Sequence, residues 1–260
     1  MALRTIIFTL ILSVVASAQI VETQQNVVPI AIQSKIDAQA ERIKSDNAEQ
    51  RRDAVYQLLL LRNAAASRIA TTALSDSVEI IRATAAKAVV YMADEAIPFL
   101  TPLLNDKAEF VRREAAFALG ETHGKSATPF LITTLQNDKR ENVRASAALA
   151  LGELQDPNAI PSLTPIFVDR KSRKQPFLQR SVAIALGKIR DKQAVPALTA
   201  VLQNPKSSSD LERESAFALG EIADESAIPI LQSKLKDKDY RLGEIAAEAI
   251  KKIEAAQKVK

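Results

Sequence analysis

A block of roughly 31 residues returns seven times between Ser45 and the C-terminus, and this recurrence restricts the chain more than any other feature. The third copy runs Phe110-Val111-Arg112-Arg113-Glu114-Ala115-Ala116-Phe117-Ala118-Leu119-Gly120. The fourth repeats it as Val143-Arg144, Ala147-Ala148 and Ala150-Leu151-Gly152. With that glycine as the index, the equivalent positions are Leu59, Val90, Gly120, Gly152, Gly187, Gly220 and Lys251, spaced by 31, 30, 32, 35, 33 and 31 residues. Self-similarity at this period means stacked supersecondary units, because one such unit is too small to bury its own apolar face.

Within a unit the pattern is helical. Nine residues before the index stand Ile81, Val111, Val143, Leu178, Leu211 and Leu242, and one before it Val89, Leu119, Leu151, Leu186, Leu219 and Ile250. Between them lie small pairs such as Ala85-Ala86, Ala115-Ala116 and Ala147-Ala148. These offsets fall on one face of an α-helix, and the small pairs allow a neighbouring helix to come close. The index glycines fit a helix end, where glycine suits a left-handed residue. Asn63, Asp94, Asp156, Asp191 and Asp224 follow as caps, and then Pro98, Pro129, Pro161, Pro196 and Pro229 sit early in a second helix. Leu100, Leu131, Leu163, Leu198 and Leu231 share one face of that helix with Leu104, Leu135, Phe167, Leu202 and Leu235. No stretch alternates with the period of a strand. The expectation is an all-α superhelix of about seven helical hairpins over residues 45–260.

The chain here resembles HEAT repeats, in the short form named after phycobilisome lyases, whose consensus runs Val-Arg, Ala-Ala, Ala-Leu-Gly, Asp, Ala-Ile-Pro. The resemblance implies an α-solenoid but no particular chemistry, since such repeats serve lyases, hydroxylases and pure binding scaffolds alike. It also implies that Asp76/Arg82, Asp106/Arg112 and Asp138/Arg144 form a ladder stitching adjacent repeats. That ladder fails at Gln179 and Glu212, which stand at the arginine positions of the fifth and sixth copies. A sister family, deoxyhypusine hydroxylase, holds two irons with His-Glu pairs; no His-Glu dipeptide occurs here.

The N-terminus reads differently. Arg4, the apolar run Ile6 to Val15 and the small residues Ala16-Ser17-Ala18 have the three parts of a secretory signal peptide over 1–18, cleaved after Ala18. The run is short for a membrane span, so no transmembrane segment is expected after cleavage, although an uncleaved anchor is the alternative. Residues 19–44 read as a polar lead followed by an N-terminal capping helix spaced by Ile32, Ile36, Ala40 and Ile43. The lysines at 251, 252, 258 and 260 fit a C-terminal cap. Export to the periplasm or extracellular space is the expected location.

Little in the sequence points to catalysis. With one histidine, His123, and no cysteine, the chain cannot assemble a histidine-rich or thiolate metal site, so no metal and no cofactor are expected. His123 reads as a turn residue. Glu121, Glu153 and Glu221 recur after the index position and read as a solvated ridge. A net charge of +4, with 35 basic against 31 acidic residues, is too mixed for a nucleic-acid binder.

Two surfaces are candidates for a protein or peptide partner. The two longest inter-repeat spacers, Asp169–Pro176 and Asn204–Asp210, should emerge along the same edge. The first carries Arg170, Lys171, Arg173 and Lys174, suited to an acidic partner or a surface polyanion, or else a plain surface insertion. The other is the row after each proline, where Phe99, Phe130 and Ile230 would form an apolar groove if they line an inner face, or simply pack between helices. The favoured function is a non-enzymatic scaffold or adaptor. A lyase- or hydroxylase-type enzyme or accessory subunit, and an envelope polyanion-binding protein, are the alternatives.

Overall fold

The computed structural model describes residues 28–258, so the leader read over 1–18 and nearly all of the polar lead after it lie outside those residues. Every regular element among the described residues is helical. Helix α1 (Ile30–Arg42) comes first, followed by the hairpins α2 (Ala48–Leu60) with α3 (Ala64–Ala70), α4 (Glu79–Ala88) with α5 (Ile97–Leu100), and α6 (Glu109–Glu121) with α7 (Thr128–Asn137). Then come α8 (Glu141–Leu154) with α9 (Ile160–Leu163), α10 (Pro176–Ile189) with α11 (Val195–Gln203), and α12 (Ser209–Ile222) with α13 (Ile228–Lys234). Helix α14 (Tyr240–Gln257) is a seventh first helix, so the described residues contain six complete hairpins and this last helix. Each first helix lies against the next first helix, and each second helix against the first helix that follows it. That is a solenoid. Among the described residues no helix is long and apolar enough to cross a membrane.

The core is a line of seams between consecutive first helices. The positions nine, five, four and one before the index are buried in repeats two to six, from Ile81 through Leu219. The position two before the index is alanine in six copies, Ala88, Ala118, Ala150, Ala185, Ala218 and Ala249, all of them buried. Each of the last four receives the index glycine of the preceding repeat. A Cβ on Gly120 would lie 2.8 Å from the Ala150 Cα, on Gly152 2.7 Å from that of Ala185, on Gly187 3.0 Å from that of Ala218, and on Gly220 2.9 Å from that of Ala249. Real Cβ atoms do not come that close to a neighbouring backbone, so these glycines set the helix spacing.

This corrects the expectation for the glycines. None has a positive φ; the left-handed residue falls three positions later, at Arg62, Ala93, His123, Gln155, Arg190 and Ala223. The reason is that the first helix continues past its index residue before the chain turns. His123 is such a turn residue, exposed, with φ 56°. The next residue then caps as expected in several copies: Asn63 accepts from the Ala65 N–H at 2.8 Å and Asp191 from that of Gln193 at 2.8 Å.

The second helices are less regular than the sequence suggests. Each expected proline is at the second position of its helix. Pro102 and Pro165, four residues beyond Pro98 and Pro161, remove a further N–H, and there the α-helix gives way to 3-10 turns over 101–105 and 164–167. In α3 no proline is present, and Thr71 and Thr72 instead bond back to the carbonyls of Arg68 and Ile69 before the helix tightens.

The arginine–aspartate ladder begins one repeat earlier than expected. Arg51 meets Asp76, Arg82 meets Asp106 and Arg112 meets Asp138, each through Nε and Nη2 to the two carboxylate oxygens at 2.7–3.2 Å. The same arginines bond through Nη1 to backbone carbonyls of their own loop, and each aspartate also accepts an N–H two residues on. Bidentate geometry explains why arginine stands here and not lysine. At the fourth rung Arg144 donates instead to Gln175 Oε1 at 2.6 Å and to the Leu135 carbonyl. The sixth rung is rebuilt with reversed polarity, since Lys234 Nζ lies 3.1 Å from Glu212 and 3.8 Å from Asp237. Among the described residues neither the fourth rung, at Arg144, nor the fifth, at Gln179, has an ionic link, and beside the fifth Arg180 reaches Glu214 at 3.4 Å and Asp210 at 3.8 Å.

Two outcomes follow from this packing. Gly220→Ala should lower stability by about 1–3 kcal/mol through overpacking, while Ala223→Gly, three residues on, should raise it by about 1 kcal/mol by relieving a left-handed alanine. Urea denaturation of both variants checks the pair; a stabilised Gly220→Ala would refute the seam. Hydrogen bonds from Arg82 hold the Asp106 carboxyl below its ordinary value despite burial, and Lys252 and then Arg190 do the same for Glu221. A depressed native pKa means that the unfolded chain binds more protons, so this stability is complete above the unfolded carboxylate range, near pH 4, and is lost as pH falls through the native values. Thermal melts should therefore be flat from neutral to mildly acidic pH and fall below about pH 4, with a shallower acid limb in Asp106→Asn.

Candidate functional site

The two long loops lie together, as their shared edge predicts, and each is pinned by its own hydrogen bonds. In the first, Asp169 Oδ2 accepts from the Ser172 N–H at 2.9 Å and from its hydroxyl at 2.7 Å, and Ser172 is buried. These bonds, the hydroxyl's first, hold the Asp169 carboxyl below its ordinary value. Glu141, one repeat back, accepts the free N–H groups of Phe177 and Leu178 at the start of α10. In the second loop the Ser207 hydroxyl donates to the Val201 carbonyl at 2.8 Å, and Ser208 caps α12 through the Leu211 N–H.

Between the loops is a cleft of about 430 Å³. Phe167, Val168, Ala197, Ala200, Val201 and Leu211 supply its apolar surface. Arg173 and Lys206 stand on its rim, Gln179 lies within it, and no carboxylate lines it. Val168 is 69% exposed, which is unusual for a valine beside such a surface.

The chemistry becomes clear against the same place two repeats earlier. There a groove of about 410 Å³ is lined by Leu104, Asn105, Thr133, Thr134, Asn137 and Lys139 and spanned by the Arg112–Asp138 pair. Counted from the prolines and index positions, Leu104 becomes Phe167, Asn105 becomes Val168, Thr133 becomes Ala200, and Thr134 becomes Val201. The arginine of the rung becomes Gln179 and its aspartate becomes Pro205. The groove keeps its size, loses its ion pair and exchanges polar walls for apolar ones. Gln179 offers a carboxamide with no hydrogen-bond partner among the described residues.

Of the basic cluster, Arg170, Lys171, Arg173 and Lys174 are all exposed and make no ion pair among the described residues, but only Arg173 lines the cleft. The apolar row is discontinuous. Phe99 and Phe130 are 45% and 47% exposed on neighbouring second helices, Ser162 and Ala197 interrupt the row, and Ile230 is half-buried against the core. The glutamates are not simply a solvated ridge. Glu121 is exposed, but Glu153 pairs with Lys188 of the next repeat, and Glu221 bridges Arg190 and Lys252 from both sides. A second row escaped the sequence reading: Phe117, Leu149, Ile184 and Phe217, three before the index, put apolar side chains on the outer face of the first helices. Their shared offset was the available signal. Among the described residues no group of three or more His, Asp or Glu side chains is placed to hold a metal.

Comparison with known proteins agrees with this architecture. The family model for HEAT repeats matches residues 97–174, and that for the PBS lyase HEAT-like repeat matches 178–204 and 212–237. No curated protein sequence matches the chain significantly. Among solved structures, the YibA protein of Escherichia coli is 21% identical with a TM-score of 0.60, covering 85% of this chain and 82% of that one. The complex of CpcE and CpcF of phycocyanin lyase from Nostoc sp. PCC7120 gives 23% identity and a TM-score of 0.51, covering 83% and 86%. An engineered protein gives 20% and 0.53, covering 84% and 68%. At these identities the likeness is one of fold. With two repeat models falling on its hairpins and solenoids among its structural neighbours, the chain is a HEAT-repeat protein.

Proposed function

We propose that this chain is an exported scaffold without chemistry of its own, which docks a segment of a protein partner along the edge formed by the inter-repeat loops. The cleft at the missing rung carries this reading. An apolar surface ringed by unpaired cations and a free carboxamide is suited to holding another chain, while no side chain in it combines a nucleophile with a base. Export rests on the tripartite leader over 1–18 alone.

Photo-crosslinking in the native cell tests the docking. A crosslinker at Ala200, in the cleft, should give adducts with protein, while one at Phe117, on the outer face of α6, should give none. Adducts at neither position, or equally at both, would overturn the reading. For export, mass measurement of the mature protein should place its first residue at Gln19; a cytosolic chain retaining Met1 would refute it.

A further inference from the structure

We infer that the cleft takes an extended, acidic peptide segment bearing apolar side chains, with its carboxylates on the loop cations and an apolar side chain in the space of the absent rung. This rests on the docking reading above and adds the chemistry of the partner. Three observations select it.

First, seven loop cations of this edge are uncompensated, although the neighbouring Arg140 pairs with Glu109 and the rung arginines pair with their aspartates. Lys107, Lys139, Arg170, Lys171, Arg173, Lys174 and Lys206 all sit in loops leading from a second helix to the next first helix, and none makes an ion pair among the described residues. Several cations on the opposite edge are already paired, among them Lys188, Arg190 and Lys252. Second, the floor is apolar where the equivalent groove is polar, so a purely ionic ligand would leave Phe167, Val168 and Val201 unused. A peptide with both characters uses both. Third, the spacing fits an extended segment of polyproline II type. Packed helices stand about 8–10 Å apart, and such a chain advances about 3.1 Å per residue with about three residues per turn, so one repeat corresponds to about three peptide residues and every third side chain shares a face. Carboxylates at every third position would meet successive loops, and the Gln179 carboxamide is free to pair with the peptide backbone.

The test is fluorescence anisotropy with the full mature chain and a labelled peptide of about twelve residues, with glutamate at every third position and leucine or valine between. The comparison ligands are the same peptide with glutamine for glutamate, an all-glutamate peptide, and inorganic polyphosphate. The acidic–apolar peptide should bind saturably, at least about tenfold tighter than either comparison peptide, and weaken as salt shortens the Debye length. Arg173→Glu with Lys206→Glu should cost at least about tenfold in affinity without changing the melting temperature, whereas Lys125→Glu with Lys192→Glu on the opposite edge should change neither. Restoring the rung with Gln179→Arg and Pro205→Asp should abolish binding while the melting temperature holds or rises. Equal binding of polyphosphate or all-glutamate would make this a polyanion edge, equal binding of the neutral peptide would remove the role of charge, and no binding at all would end the inference. Crosslinks at Ala200 that persist when every peptide fails would leave the scaffold standing and sink only the ligand chemistry; losing both would sink both.

Discussion

Everything in this molecule depends on how closely one first helix can approach the next. A repeat of this length buries one helical face and has nothing of its own to cover the other, so its stability lies in the interface with its neighbour. The seam is built from side chains that end at or near Cβ. Alanines at two, four and five before the index, with glycine at the index itself, bring backbones within van der Waals distance, and leucine one before the index fills the remaining space. Dispersion at that range is weak for one atom pair and considerable over a whole helix.

The stack fastens its seams in two ways that trade places along its length. In the first two repeats the index is Leu59 or Val90, and the rungs Arg51–Asp76 and Arg82–Asp106 join the loops. From the fourth repeat onward the index is glycine and the bidentate rungs cease. The third seam has both, with Gly120 on Ala150 and Arg112 on Asp138. In the later repeats the opposite edge adds its own links, Lys188 to Glu153 and Arg190 and Lys252 to Glu221. Exposed pairs of this kind contribute only about 0–1 kcal/mol each, so close helix contact is the dominant fastening in that half.

Much of this was legible in the sequence because it is periodic. The period, the buried offsets, the prolines and the first rungs are all regularities that recur in copy after copy. What escaped reading involves contact between copies. A helical wheel puts Gly152 at the end of its own helix, and only stacking shows that Ala185 of the next repeat needs the space. The alanine row two before the index held that information in six copies, but it lies at the margin of the buried face. The cleft was half legible. The long spacers and the missing arginine pointed to the right edge, while the facing wall of Ala200 and Val201 belongs to a different repeat. Glu153 was misread because its partner, Lys188, is 35 residues away and looks in sequence like a break in the row.

The missing rung shows why a linear stack tolerates the loss of an ion pair in its interior. Removing one partner of a buried ion pair costs about 3–5 kcal/mol, because the other charge is stranded, but replacing both by apolar or neutral groups is often close to neutral. At the fifth rung both are gone, Gln179 for arginine and Pro205 for aspartate, so no stranded charge remains. Coupling between repeats is nearest-neighbour, so the change stays local and the Gly187–Ala218 contact still closes that seam from the helix side. The sixth rung takes the other course and recovers an ionic link through Lys234. Two adjacent positions thus depart from the same pattern in opposite senses, one repairing the ladder and one leaving it open with apolar walls. Drift alone accounts for a lost rung. It does not account for apolar residues standing at three lining positions, Val168, Ala200 and Val201, where the earlier groove has Asn105, Thr133 and Thr134, around an opening of about the same size, and that coincidence is what supports the docking proposal at the fifth rung.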